Sequence, residues 1–326
     1  MLTVDEINEN IYTFKIVLPD NPLKWLNCYV IKSSDRNLLI DTGFNRPECR
    51  EDLLDGMRLL GLTADNTDVF LTHLHSDHTG NAAFLSDNGF HILMGRRDHQ
   101  TVCLTSDERH RSAHKRFLLE GMPVSDLKLW NEQTPAIKFA PEPFPAQETD
   151  DGSILSYGGY TLRCLATPGH TPGHLCLYDE QRKLIFLGDH VLFDISPNIC
   201  AWNGVADSLG DYLRSLELVK SLEISTALPA HRTMGNKTVR QRADELIAHH
   251  EKRLAEVEQL VHKQPGICAY ELSGQVTWRI KAKDWNDFPP AQKGFAFGET
   301  LAHLDHLVIC GRIEKYCDAS GNVFYR

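Results

Sequence analysis

The chain has little that would tie it to an oxidising compartment, a membrane or a polyanion. Its nine cysteines are Cys28, Cys49, Cys103, Cys164, Cys176, Cys200, Cys268, Cys310 and Cys317. They are odd in number, scattered, and never spaced Cys-X-X-Cys, so they read as free thiols and not as a disulfide framework. No apolar run approaches the roughly 20 residues that a membrane helix needs. The opening residues Met1 to Glu6 lack the basic and apolar regions of a signal peptide, which gives cytoplasmic as the expected location. There is no basic excess either. Net charge is −10 over 326 residues, which does not favour DNA as a partner. No Gly-X-Ser-X-Gly is present, so the signature of a serine hydrolase elbow is missing.

What the chain does have is histidine beside aspartate. His73-Leu74-His75-Ser76-Asp77-His78 places four candidate ligands in six residues, directly after the apolar run Val69-Phe70-Leu71. An extended segment turns every second side chain to one face, so His73 and His75 can grip one ion. Asp77 and His78 follow where the chain turns and can serve a second position. Imidazole with carboxylate suits zinc, iron or manganese. Completing ligands lie downstream, each just past a strand-like stretch. These are His170 in Thr167-Pro168-Gly169-His170, Asp189 after Leu184 to Gly188, and His231 after Ala227 to Ala230. Strand ends are where rigid scaffolds present functional groups.

His-X-His-X-Asp-His, then Gly-His, Gly-Asp and a late His resembles the metallo-β-lactamase superfamily over roughly residues 8 to 240. Asp41-Thr42-Gly43 is similar to the family's early Asp-Thr-Gly turn. The pattern is nearer to glyoxalase-II-like hydrolases than to true β-lactamases, many of which carry Cys where Asp189 stands. The resemblance implies His73, His75 and His170 on a first metal, Asp77, His78 and His231 on a second, and Asp189 bridging them. It puts Asp41 beneath the metals. The implied cofactors are two divalent metal ions, zinc first, with iron or manganese compatible.

Such a pair of ions can hold a bridging hydroxide at neutral pH and polarise the substrate oxygen. Asp77 and Asp189 are then the candidate catalytic carboxylates, with Asp77 able to pass a proton to the leaving group. The expected function is hydrolysis of a small ester, thioester or lactone. The alternative is an RNA-cleaving phosphodiesterase or a nucleic-acid-binding protein of the same fold.

The expected fold class is α+β, a four-layer αββα sandwich over residues 1–240, followed at 241–326 by a linking helix and a small winged-helix module. Ile11 to Leu18, Leu26 to Ile31 and Asn37 to Ile40 read as strands, and Arg50 to Leu60 as a helix. The polar segment Arg96 to Trp130 reads as a helical lid, with Phe117, Leu118 and Met122 offered to the cleft. His110 and His114 in it read as a solvated face. His249, His250 and His262 read as surface, and His174 and His190 as structural groups or supports for ligands. After Pro265 come a helix near Cys268 to Val276, a break at Pro289-Pro290, a helix from Glu299 to Cys310, and a hairpin. Gly298 to Leu304 resembles a winged-helix module attached to one branch of the family. That segment holds seven Lys/Arg and seven Asp/Glu from residue 265 onward. Nucleic-acid binding needs a basic excess, so packing or homodimer formation is expected in place of DNA contact, with RNA kept as a substrate class and no membrane partner.

Overall fold

The structure, a computed structural model, describes residues 2–104 and 106–326; the side chains of residues 106, 107, 109–112 and 136 lie outside the described set. The proposed surface role of His110 therefore falls outside it too.

Two sheets organise the chain. The first runs β1 (Asp5–Asn8), β2 (Ile11–Val17), β3 (Trp25–Ile31), β4 (Asn37–Ile40), β5 (Thr67–Leu71), β6 (His91–Gly95) and β7 (Gln147–Thr149) in spatial as well as chain order. β1 to β4 are antiparallel neighbours, and β4 to β7 are parallel. The second sheet holds β8 (Ile154–Tyr157), β9 (Tyr160–Ala166), β10 (Leu175–Asp179), β11 (Leu184–Gly188) and β12 (Thr226–Pro229), antiparallel except for the parallel pair β11 and β12.

Strand periodicity sorts the core into layers. Leu38, Ile40 and Phe70 point between the sheets, where they meet Leu175, Leu177, Leu184 and Phe186. Their neighbours Leu39, Val69 and Leu71 face the opposite way, onto Leu53 and Met57 of α1 (Pro47–Leu59). On the second sheet Cys176, Tyr178, Ile185 and Leu187 face outward onto helices. Both faces of these strands are buried, so they read as unbroken apolar runs. The result is helix, sheet, sheet, helix.

The remaining helices are α2 (Ser76–Thr79), α3 (Ala82–Asp87), α4 (Arg96–Val102), α5 (Ser106–Leu119), α6 (Val124–Gln133), α7 (Pro135–Lys138), α8 (Ser208–Ser221), α9 (Val239–Lys263), α10 (Ala269–Ser273) and α11 (Pro290–Ile309), followed by β13 (Lys315–Cys317) and β14 (Val323–Tyr325). Among the described residues no helix is long and apolar enough to cross a membrane. α9 opens on a capping box. Thr238 Oγ1 accepts from Gln241 N at 3.2 Å and Gln241 Oε1 accepts from Thr238 N at 3.0 Å, which satisfies two otherwise orphaned donors. α11 begins earlier than expected, at Pro290 and not at Glu299. Proline at the first helical position lacks only a donor that no helix there would use, so the Pro-Pro pair starts the helix where the sequence reading placed a break. α10 is shorter than expected, ending at Ser273.

The C-terminal elements share one core with the second sheet. Leu254, Val257, Phe297, Leu301, Leu304 and Leu307 join Ile185, Leu187, Leu209 and Tyr212 in a continuous cluster. Leu301, Leu304 and Leu307 are fully buried. β13 and β14 form the expected hairpin, and Tyr325 pairs back to Ile267.

Two expectations need correction. Phe117 and Met122 do not serve the cleft, because they belong to the core under α11. Phe117 stacks edge-on with Phe297 at 5.1 Å, while Leu118 stays 40% exposed. His250 is not a surface residue. It is fully buried, its Nδ1 3.2 Å from Nε2 of His303. A 25-residue helix shows one flank to the core, and the charged neighbours of His250 masked that it lies on the inner one. His262 is exposed as expected.

Candidate metal centre

Each candidate ligand stands at the C-terminal end of a strand. The loop after β5 carries His73, His75, Asp77 and His78. The turn from β9 to β10 carries His170. Asp189 follows β11 and His231 follows β12. The parallel register sets Gly188 against Pro229, so Asp189 and His231 leave their strands side by side. β4 and β5 pair Ile40 with Phe70, which brings Asp41 under the first histidine loop.

The structure brings all seven residues together. Potential ligand atoms of His73, His75 and His170 lie within 4.8 Å of one another, as do those of Asp77, His78 and His231, and those of His73, His78 and Asp189. Asp189 spans the groups. Its Oδ2 lies 3.7 Å from Nε2 of both His78 and His170, and its Oδ1 lies 3.4 Å from Nε2 of His231. His231 Nε2 is also 3.3 Å from Asp77 Oδ2.

The rings are oriented from behind. Nδ1 of His78 donates to Asp41 Oδ2 at 2.8 Å, Nδ1 of His170 to the carbonyl of Asn198 at 2.8 Å, and Nδ1 of His231 to the carbonyl of Trp25 at 2.9 Å. Thr72 Oγ1 donates to Asp41 at 2.9 Å and stands 3.0 Å from Nδ1 of His73. Fixing the proton on Nδ1 leaves Nε2 as the free lone pair, which is how metal-ligating histidines are held. His75 is turned the other way, with Nδ1 3.1 Å from Nε2 of His73. Asp41 adopts φ 63°, a left-handed conformation that costs energy outside glycine. Its carboxylate repays this by also accepting from the Thr72 backbone N–H at 2.9 Å.

Electrostatics divide the imidazoles. Burial and neighbouring histidines hold His73 well below the usual histidine range, and push His75 down to about 3. Burial likewise lowers His170, against the pull of Asp189. At His78 burial also opposes charge, but Asp41, Asp189 and Asp77 outweigh it and raise its pKa. Asp189 and Asp77 do the same for His231. Burial works against the Asp77 and Asp189 carboxylates, yet His78 and His231 hold both well down, Asp77 at about 2. Nε2 of His170 and Oδ1 of Asp189 are buried with no hydrogen-bond partner. A cluster of five imidazoles and two carboxylates with orphaned, inward-facing atoms fits divalent cations, because a buried polar atom left unpaired is costly.

His174 supports the site. Its Nε2 accepts from the Asp189 backbone N–H at 3.2 Å, and its Nδ1 lies 2.8 Å from Thr167 Oγ1. Gly188 makes room for this ring. It has φ +50°, and a Cβ there would lie 2.6 Å from Nε2 of His174. His190 is fully buried against Tyr212, ring centroids 5.4 Å apart.

Sequence reasoning missed Asp98 and Trp202, and placed Asn198 only in a loop, Phe193 to Asn198, bordering the cleft, without its contact to His170. Asp98 is fully buried. It accepts from the Leu74 backbone at 2.9 Å, Thr171 Oγ1 at 2.6 Å and the Gly173 backbone at 2.6 Å. It thus ties the His73–His78 loop to the His170 turn. Burial raises its pKa to about 6 although those three donors pull the other way. Trp202 donates Nε1 to the His170 carbonyl at 3.0 Å and sits 6.0 Å from the His75 ring. The available signal for Asp98 was the one used elsewhere, an acid just past an apolar strand.

The Metallo-beta-lactamase superfamily profile matches residues 26–231. A Caenorhabditis elegans "Beta-lactamase-like protein 2 homolog" is 24% identical over 83% of this chain and 80% of its own length. The Gallus gallus "Acyl-coenzyme A thioesterase MBLAC2" is 24% identical over 64% of this chain and 73% of its own. An "Atrochrysone carboxyl ACP thioesterase" from Emericella nidulans is 27% identical over 66% of this chain, which spans 54% of that protein's length. The crystal structure of a metallo-beta-lactamase family protein from Thermus thermophilus superposes with a TM-score of 0.81 at 29% identity, covering 98% of this chain and 99% of that one.

Proposed function

The chain belongs to the metallo-beta-lactamase superfamily and is a hydrolase, and on that footing we propose that it cleaves a thioester of a small acyl group at a site holding two divalent ions, zinc by preference. The observation that carries this is Asp189, whose two carboxylate oxygens face both ligand groups at once. His73, His75 and His170 would hold one ion, Asp77, His78 and His231 the other, and Asp189 both. Bound there, such ions supply a water of lowered pKa and an electrophile for the substrate carbonyl.

The chain's own residues set the rest. Asp41, Asn198, Trp25 and Thr72 fix the imidazoles so that little reorganisation accompanies the reaction. Asp77 stays ionised at neutral pH and is the nearest carboxylate able to accept a proton beside His231. Trp202 offers an apolar wall next to His75. The relatives named as thioesterases support the thioester over other acyl substrates.

We also propose that residues 241–326 form a winged-helix-like module whose work is packing. The apolar face of α11 is spent on the core of the second sheet. The seven acidic and seven basic residues from residue 265 onward leave no electrostatic source for phosphate binding.

The test is turnover of short- and medium-chain acyl-coenzyme A thioesters by the metal-replete protein, read as released thiol, with a lactone and a single-stranded RNA as parallel substrates. Thioester cleavage abolished by a chelator and restored by zinc is expected. RNA cleavage without thioester turnover would reverse the assignment.

A further inference from the structure

Outside the ligand cluster, the end of α11 carries a second chemically poised group. His306 and Cys310 stand one helical turn apart, on the same face. Sγ of Cys310 lies 3.6 Å from Nε2 of His306. Nδ1 of His306 faces the carboxylate of Asp207 at 3.0 and 3.1 Å. Asp207 is itself fixed as the N-cap of α8, accepting from the Gly210 backbone N–H at 2.7 Å. Cys310 is exposed, while the side chains of His306 and Asp207 are only 16% and 13% exposed. The order is thiol, imidazole, carboxylate, with the last two partly buried and the thiol the exposed end.

We infer that Cys310 is an activated thiol that exchanges with low-molecular-weight disulfides. Asp207 holds the His306 proton on Nδ1, so Nε2 turns its lone pair toward the thiol. In the exchange the Cys310 proton passes to Nε2. The thiolate attacks one sulfur of the disulfide, a new S–S bond forms, and the old one breaks. The departing thiolate takes the proton from Nε2. One thiol and one disulfide become one mixed disulfide and one thiol, with no other oxidant required.

The same spacing occurs once more and shows what sets Cys310 apart. At the end of α4, Cys103 Sγ lies 3.3 Å from Nε2 of His99, whose Nδ1 is 3.3 Å from Glu148. There Nε2 also stands 3.0 Å from the Phe144 carbonyl. A carbonyl only accepts, so that nitrogen must donate and has no lone pair for the thiol. Among the described residues no carbonyl competes at Nε2 of His306.

The charged surroundings are mixed. A helix C-terminus disfavours a thiolate. Arg312, just beyond that terminus, interacts with the Cys310 thiol and is paired with Glu258 on α9. On α8, Arg214 faces Asp207 and is paired with Asp211. His303, one turn back on α11, is buried and kept neutral, with His306 among its neighbours.

The test uses the full, metal-replete chain with oxidised glutathione and dithiobisnitrobenzoate as probes, each cysteine being followed by peptide mass spectrometry. At pH 7 Cys310 is thiolated first, at least about fivefold faster than Cys317, a thiol that is also exposed. His306→Ala brings Cys310 down to the Cys317 rate. Asp207→Asn keeps a good helix cap and gives a smaller slowing, which guards against a folding defect in the first variant. Equal rates at Cys310 and Cys317 in the unaltered chain, or an unchanged Cys310 rate in His306→Ala, overturn the assignment.

Discussion

Asn198 donates Nδ2 to Oε2 of Glu299 at 3.0 Å, while its backbone carbonyl accepts from Nδ1 of His170 at 2.8 Å. One residue therefore joins α11 to a candidate metal ligand. Cys200 donates to Asn198 Oδ1 at 2.6 Å, and the Ala201 N–H donates to the Gly298 carbonyl at 3.1 Å. Gly298 permits this approach, since a Cβ there would lie 2.7 Å from Sγ of Cys200. The C-terminal helix thus reaches the metal centre through a loop and not through a ligand of its own.

Glu299 is the anchor of that link, and it also pairs with Arg253 at 3.2 Å. Glu299→Ala removes one acceptor each from Asn198 and Arg253, which keep weaker partners in the Phe295 and Thr277 carbonyls, so the cost should lie toward the lower end of about 1–3 kcal/mol. It also loosens the carbonyl that orients His170. Removal of such a support typically lowers metal affinity by about 10–100-fold. Glu299→Gln keeps an acceptor for Asn198 and should retain most of the affinity. Chelator competition on both variants decides this. An alanine variant that binds metal as the parent does would mean the link is only structural.

Asp189→Ala should abolish turnover while the fold persists. The residue lies outside the three apolar clusters, so its loss removes charge from the centre and little packing. Activity should fall by orders of magnitude, while the metal-free protein keeps a cooperative unfolding transition and loses only the stability that Asp189 lends to His78 and His231. Elemental analysis of the parent should give two metal ions per chain, because the seven ligands exceed what one tetrahedral site takes. Full activity with one ion, or near-parental turnover in the variant, contradicts the bridging role.

Metal loading should depend on pH with a definite sign. His78 and His231 have raised pKa values, so both hold protons in the metal-free protein at pH values where a free imidazole would release them. A metal must displace those protons. Affinity should therefore climb as pH rises through and above about 6.5, by up to about tenfold per unit for each proton displaced. The two rings act oppositely on the stability of the metal-free fold. Their contribution is fully present below about pH 6.5 and is lost as pH rises through the folded pKa. Isothermal titration of zinc across pH 6 to 8 measures the first trend and chemical denaturation the second.

That the candidate ligand loops would meet was legible because their signal is local. A histidine or an acid directly after an apolar strand marks a strand end, and His73 to His78, His170, Asp189 and His231 all carry that mark. The sandwich was legible in three of the four strands before α1, β2 to β4, a run that a doubly wound sheet does not have; the short β1 (Asp5–Asn8) escaped because it buries no residue. What supports the ligands was harder to read. Trp25, Thr72 and Asn198 act mainly through backbone carbonyls or a small hydroxyl, and no residue type announces that. Asp98 was hidden because the segment from Arg96 looked like one polar lid. His250 was misread because helix faces are set by tertiary packing, and the charged residues beside it outweighed a single imidazole. α11 was cut short because Pro289-Pro290 reads equally as the end of one element and the start of the next.

Asp98 gives the sharpest electrostatic test, since one carboxyl joins the two ligand loops and burial outweighs the three donors and the Arg97 charge that favour its ionised form. Burial raises its pKa to about 6, against about 3.9 in an unfolded chain. A carboxyl shifted upward stabilises the fold below its unfolded pKa, and this contribution is lost as pH rises through the folded value. Asp98→Asn never ionises, although it replaces one acceptor with a donor that the Leu74 and Gly173 N–H groups cannot accept. The variant should therefore be the less stable protein at pH 4. As pH rises to 7 the metal-free parent should lose on the order of 2–3 kcal/mol relative to it. Urea unfolding of both proteins at matched pH isolates this difference, because every other titrating group is common to the two. A difference that stays flat from pH 4 to 7 would mean that the three donors keep Asp98 ionised throughout, and that it binds the loops as a charge.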